Sequence, residues 1–440
     1  QNGFELDELH DVSINSGTLA DKQVLAYESA TQLWKNKQAT GGVTVGATAP
    51  STPNNGDAWF DSNDGTLYVW YVDADTSQWV QVQANSALEG SILARLGALE
   101  TTTVAFGNLS PNYIINGDFS INQRNFTSTT TNVSYGFDRW QLETASGTST
   151  YSTQAFTTGA APVTGYEASN FARIITSGQT GTVAYSLLEQ HIEDVRTLAG
   201  QTAVVSFWAK AGSGTPKIAV SFDQRFGSGG SPSDIVSVPV GIVTTTTGWA
   251  RYSVSVTIPS LSGKTVGTTA NTSSLLLRLW VSASAAIGAP AQGIGIQNNT
   301  FDIWGVQVER GSVATAFRRN QPNIQAELAA CQRYYYRWTG VTGESLGNVN
   351  FWMTDRGWGV YYLPVTMRAV PSINYYGSGW NVLANNLNIS VSSIGATSSN
   401  VNSFGIDCIT TGGAGVQNIG GTIRVNISGG SSYVQAVAEL

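Results

Sequence analysis

Between residues 111 and 320 short apolar runs recur, each cut off by Gly, Ser or Thr, and this pattern restricts the chain to β architectures. The runs are Tyr113–Ile115, Phe137–Leu142, Phe171–Ile175, Val183–Leu188, Thr202–Lys210, Lys217–Phe222, Ile235–Val243, Arg251–Ile258, Ser274–Val281 and Thr300–Val308. Regular strands between turn residues predict an antiparallel sandwich. In Thr202–Lys210, alternation gives Ala203, Val205, Phe207 and Ala209 one buried face. Val204, Ser206, Trp208 and Lys210 form the other, partly covered face. The region's length fits a jelly roll. Gln190–Leu198 reads as a single helical turn.

Composition agrees with a mainly β chain. Charged residues are 12% of the total, against about 25% in ordinary domains, while aromatics reach 10% and there are 48 Gly. Disorder requires the opposite balance. At 440 residues the chain holds about three domains. Residues 1–37 read as a β module of short strands, and 38–84 as an aromatic β-hairpin module entered through the Gly/Thr/Pro linker Thr40–Asn55. In the second module Asn63-Asp64-Gly65 is a hairpin turn. Its Asp57, Asp61, Asp64, Asp73 and Asp75 match no calcium-loop spacing, so turn chemistry accounts for them better.

Residues 85–110 change character. Leu88, Ile92, Leu96 and Leu99 fall at spacings of four, four and three, one apolar stripe on a helix. Such a helix either packs on its own chain or forms a short coiled coil with other copies. The flanking hairpins cannot stand alone, which favours the coiled coil. Phe301–Trp338 reads as a joint. Phe301, Ile303, Val306 and Val308 close one β domain. A basic patch (Arg318, Arg319) and Pro322 follow, then Ile324, Leu328 and Cys331 at helical spacing. Residues 321–338 are thus a connecting helix and its aromatic-basic exit, and 339–440 a second, smaller β-sandwich.

Several function classes lack a signal. A net charge of −7 offers no footprint for nucleic acid. No run of about 18 apolar residues predicts a membrane span. The chain begins at Gln1 without a signal-peptide pattern, which suggests a fragment, a mature form or a start elsewhere. Cys331 and Cys408 form one bridge or two buried thiols, the thiols being favoured. With only His10 and His191 beside them, no zinc-type cluster, and hence no metal or cofactor, is expected. No nucleophile elbow, P-loop or zinc-protease motif occurs. His191 sits in a sheet-edge or turn setting, so the chain does not read as an enzyme.

Binding has better support. Trp352, Trp358, Tyr361, Tyr362, Tyr375, Tyr376 and Trp380 crowd the C-terminal region, and such rings offer a flat face with a polar edge, suited to stacking on sugars. Asp355 and Arg356, in the Thr354–Gly357 turn, supply directional hydrogen bonds beside them. Core and intersubunit packing is the competing use of the same rings. Along Trp358–Leu363, alternation places Trp358, Val360 and Tyr362 on one face and Gly359, Tyr361 and Leu363 on the other. The candidate glycan site is therefore Trp352, Asp355, Arg356, Trp358, Tyr361, Tyr375, Tyr376 and Trp380.

LHDVSINSGTLADKQVLAYESATQLWKNK and GDAWFDSNDGTLYVWYVDADTSQWVQV resemble small modules of bacteriophage structural proteins. NYIINGDFSINQRN, GQTAVVSFWAKA and FDIWGVQVERGSVATAFRRN are similar to tail-fibre domains of the carbohydrate-binding-module jelly-roll type, and TMRAVPSI resembles a phrase near fibre tips. The resemblance, to modular phage tail fibres, covers about residues 9–338. It implies a homotrimer in the virion, with tail or adaptor proteins at the N-terminal end and host surface polysaccharide of lipopolysaccharide type at the tip. On that view Leu88, Ile92, Leu96 and Leu99, with Ile324 and Leu328, join the three chains, and the Ile324–Cys331 helix has no partner within its own chain. The resemblance also matches Asp118 and Asp302 to structural-calcium positions of related jelly rolls.

Overall fold

The computed structural model describes residues 10–21, 23–38, 43–82, 112–411, 415, 417–425 and 432–440. Leu88, Ile92, Leu96 and Leu99, the residues expected to form a coiled coil, lie outside them. The chain forms two compact units, Gln1–Val104 and Ala105–Leu440.

In the first unit, β1 (Val12–Ser13), β2 (Gln23–Glu28) and β3 (Leu33–Gln38) form a sheet of order β1-β3-β2. A second sheet joins β4 (Val43–Gly46), β5 (Ala58–Asp61), β6 (Thr66–Val72) and β7 (Ser77–Gln81) in chain order. The linker expected at 40–55 is thus partly strand: β4 pairs parallel with β5, and the Trp59 indole donates to Gly46 O at 2.9 Å. The aspartates serve the turns. Asp61, Asp64 and Asp73 accept backbone N–H groups two residues on.

The second unit begins with a two-sheet sandwich. Its strands are β8 (Ser128–Thr129), β9 (Ser134–Tyr135), β10 (Gln141–Ala145), β11 (Thr148–Ala155), β12 (Asn170–Ser177), β13 (Tyr185–Glu193), β14 (Thr202–Ala211), β15 (Lys217–Arg225), β16 (Val236–Thr244), β17 (Ala250–Thr257), β18 (Ser274–Ala283) and β19 (Thr300–Arg310). One sheet runs β16-β15-β18-β13-β10-β9 and the other β17-β14-β19-β12-β11-β8. Their facing sides meet in one apolar core that includes Leu188, Phe207, Phe222, Leu277, Phe301 and Trp304.

Local conformation overrides alternation at three places. Tyr113–Ile115 is not a strand, because the Asn112 side chain binds the backbone there, accepting from Ile114 N and Val308 N at 3.0 Å each. Phe137–Leu142 becomes strand only from Gln141, because Arg139 is left-handed at φ 73°. Gln190–Leu198 is no helical turn. β13 runs through it to Glu193 and the chain bends at Asp194, also left-handed. His191 therefore lies in an interior strand, paired with Leu276, and not at a sheet edge.

The remaining strands are β20 (Tyr335–Gly340), β21 (Ser345–Phe351), β22 (Arg356–Tyr362), β23 (Ser372–Tyr376), β24 (Trp380–Ala384), β25 (Leu387–Thr397), β26 (Ser403–Thr410), β27 (Gly420–Val425) and β28 (Ser432–Val437). They do not make the expected sandwich. Six close into a barrel, β21-β22-β26-β25-β24-β27, and β20-β28-β23 form a separate sheet. Gly357 and Gly359 on β22 permit closure. A Cβ at Gly359 would stand 2.0 Å from Asn348 O, and one at Gly357 would stand 3.1 Å from Cys408 Sγ. Phe351, Phe404, Ile406 and Cys408 fill the lumen. Cys331 and Cys408 are both free and buried.

The segment between sandwich and barrel is a latch, not a loose joint. Helix α1 (Ile324–Gln332) is capped by Asn323, whose Oδ1 accepts from Ala326 N at 2.9 Å. Ile324 is exposed and Leu328 half-buried, while Glu327 and Cys331, one turn apart, are buried. The Glu327 carboxylate accepts from Asn116 N at 2.5 Å and from Gln321 N at 2.8 Å. The helix thus has a partner in its own chain. The spacing of Ile324, Leu328 and Cys331 concealed this, since the anchoring residue is charged.

Candidate functional site

The outward side of the barrel carries a cleft of about 380 Å³, lined by Asn350, Trp352, Arg356, Trp358, Thr397 and Asp407. Strand register assembles it. Trp358 on β22 lies directly opposite Asn350 on β21 and Asp407 on β26, and Asp407 lies opposite Gly395 on β25. With Gly357 and Gly359 inward, Trp358 must point out, where it stays 44% exposed. Trp352, in the turn between β21 and β22, is 46% exposed.

Arg356 ties the two rings to the carboxylate. Its Nε donates to Asp407 Oδ1 at 2.8 Å and its Nη2 to Oδ2, a two-pronged grip, while the guanidinium lies 5.6 Å from the centre of the Trp352 ring. The Asp407 carboxylate raises the Arg356 pKa through these bonds. The Trp358 indole donates to Thr397 Oγ1 at 3.1 Å. Gly405 leaves room for that bond, because a Cβ there would stand 2.6 Å from Thr397 Oγ1 and 3.1 Å from Trp358 Nε1. The cleft therefore offers two indole faces, a charge-neutralised Arg–Asp pair, an amide and a hydroxyl. Such a set binds a ring that has one apolar face and hydroxyls at its rim.

Of the eight residues expected from sequence, Trp352, Arg356 and Trp358 line this cleft together. Asp355 is exposed in the adjoining turn, where its backbone carbonyl accepts from Thr410 N at 2.7 Å. Tyr361, Tyr375 and Trp380 pack in or against the barrel core, with Tyr361 stacked on Phe404 at 5.1 Å. Tyr376 lies on the separate sheet, stacked on Tyr433 at 4.6 Å. Asn350, Thr397 and Asp407 escaped the sequence reading. Only strand register joins Asn350 and Asp407 to Trp358, and the intervening stretches hide it.

A second cleft, of about 420 Å³, opens on the sandwich among Asn112, Tyr166, Phe317, Arg318 and Arg319. Asp118 beside it is not free for calcium, since Arg319 Nε and the Tyr166 hydroxyl each donate to its Oδ2 at 2.7 Å. Asp302 is likewise held by Arg173, at 2.6 and 2.8 Å. Among the described residues no group of three or more His, Cys, Asp or Glu side chains gathers to hold a metal. No described helix is long and apolar enough to cross a membrane.

No protein-family model matches the chain, and no curated protein matches it. Solved structures similar to part of it include a CBM22-2 xylan-binding domain from Paenibacillus barcinonensis, at 18% identity over 39% of this chain and 92% of that one, with a TM-score of 0.26. A CBM4 structure matches at 14% identity, 44% and 98% coverage and a TM-score of 0.25. A family 11 carbohydrate-binding module from Clostridium thermocellum, in complex with a mixed-linked tetrasaccharide, matches at 11% identity, 43% and 99% coverage and a TM-score of 0.24. Likeness at these TM-scores carries no weight for the ligand of this chain.

Proposed function

We propose that this chain binds a glycan in the Trp352–Trp358 cleft without cleaving it, as the host-attachment part of a phage tail fibre. The observation that carries the binding reading is the pairing of two exposed indoles with the Arg356–Asp407 pair in one cleft. Binding is favoured over cleavage because Arg356 engages both Asp407 oxygens. That suits the carboxylate to accepting hydroxyls, whereas glycosidic cleavage uses two working carboxyl groups.

The virion location rests on the sequence resemblance of residues 9–338 to modular tail fibres. In that setting the chain is a homotrimer, its N-terminal end meets tail or adaptor proteins, and its tip meets host polysaccharide of lipopolysaccharide type. Three shallow sites acting together raise avidity well above that of one. Incubating the full chain with host lipopolysaccharide tests this. Binding, with competition against phage adsorption, is expected. Neither binding nor competition overturns it.

A purely structural virion protein is the second reading. It is favoured by exposed Val43, Val45, Phe60, Tyr71, Val80 and Val82 on the four-stranded sheet, a surface suited to packing on another protein. Labelling the chain's position on the particle separates the two. Release of reducing ends from host polysaccharide would instead favour a hydrolase.

A further inference from the structure

Strand β22 continues past the Trp358 end of the cleft. Tyr362 lies four residues further along β22, on the same outward side, and at 76% it is the most exposed large hydrophobic side chain among the described residues. At a strand rise of about 3.3 Å per residue the two rings stand about 13 Å apart, further than one sugar ring reaches. Between them stands only the short, half-buried side chain of Val360, which is paired with Gly405, and the Trp358–Thr397 bond lies over that glycine. Ser403 lies opposite Tyr362 and offers a hydroxyl at that end.

Charge narrows the ligand further. Arg356 is neutralised by Asp407, and Asp355 adds a negative charge close enough to act on the same guanidinium. The cleft therefore holds no spare positive charge for a uronate, sulfate or phosphate.

We infer that Tyr362 is a second stacking position, and that the ligand is an internal stretch of a linear, uncharged polysaccharide lying along β22. This rests on the glycan-binding reading above. Tyr362 makes the site select for length, because a ligand must cover both Trp358 and Tyr362 to gain both contacts.

The test is calorimetry of the full chain with neutral gluco-, galacto-, manno- and rhamno-oligosaccharides graded upward from the monosaccharide, with polygalacturonate as the acidic probe. Affinity is expected to climb with length in at least one neutral series, and Tyr362→Ala to remove about tenfold of that gain. Tyr362 is exposed, so its removal leaves the barrel core intact, and an unchanged melting curve checks this. Affinity that does not depend on length, a Tyr362→Ala variant equal to the parent, or tightest binding to polygalacturonate overturns the inference. If short ligands still bind and Trp358→Ala abolishes that binding, the cleft stands and only the extension falls. If no saccharide binds, both fall.

Discussion

Arg139 and Glu439 meet as a buried ion pair although 300 positions separate them. Arg139 also donates to His191 O at 2.6 Å, and its guanidinium lies 3.5 Å from the centre of the Tyr334 ring. Arg124 repeats the device on Glu439 and the Tyr335 ring, and Arg333 grips Glu193 at 2.7 and 3.0 Å. These contacts seat the barrel region on the sandwich. Glu439→Gln leaves a guanidinium buried without its counter-charge, which costs about 3–5 kcal/mol. Urea unfolding should show that loss. Replacing both partners together, Arg139→Met with Glu439→Leu, should recover most of it. A small effect of Glu439→Gln would mean that the latch is slack.

Glu327 secures α1 by accepting two backbone N–H groups, from Asn116 and Gln321. Burial raises its pKa. Glu327→Leu strands both donors, at a cost of about 2–4 kcal/mol. Hydrogen exchange should then quicken at Asn116 and Gln321. Protection unchanged at both would show that the carboxylate does not hold them.

Two buried groups give stability opposite dependences on pH. Burial, opposed mainly by Arg278, pushes the Glu189 carboxyl up to about 7. The native state thus keeps a proton that the unfolded chain has lost, so stability falls as pH rises from about 4.5 to about 7. His191 is pushed down to about 3, chiefly by burial. There the unfolded chain binds a proton that the native state refuses, so stability falls as pH drops from about 6.5 towards 3. The two windows overlap between about 4.5 and about 6.5, where the dependences offset each other. Unfolding midpoints should therefore show Glu189→Gln leaving the His191 loss on acidification uncovered, and His191→Asn leaving the Glu189 loss on alkalinisation uncovered. The same slope in both variants would contradict these assignments.

The sandwich was legible through its apolar runs between turn residues. That pattern holds even in Thr202–Lys210, where both faces are buried and Val204, Ser206 and Trp208 are not the partly covered face that alternation suggests. It misled where a side chain captured the backbone at Asn112, or where Arg139 took a left-handed conformation. The barrel was not legible, because closure depends on which strands pair, and β21 pairs with β27 about seventy residues later. The site was half legible for the same reason. Gly-Trp-Gly at 357–359 marks an outward indole on its own strand, while Asp407 reaches it only through pairing with β26. Tyr375 and Trp380 look equally suited to sugar in sequence, but their strands turn those rings towards the core.

The most direct measurement is the affinity of the full chain for host lipopolysaccharide with Trp358→Ala, set beside Tyr376→Ala on the separate sheet. The cleft predicts at least a tenfold loss for Trp358→Ala and little change for Tyr376→Ala, with both variants melting like the parent. Full affinity in Trp358→Ala, or loss confined to Tyr376→Ala, would contradict it.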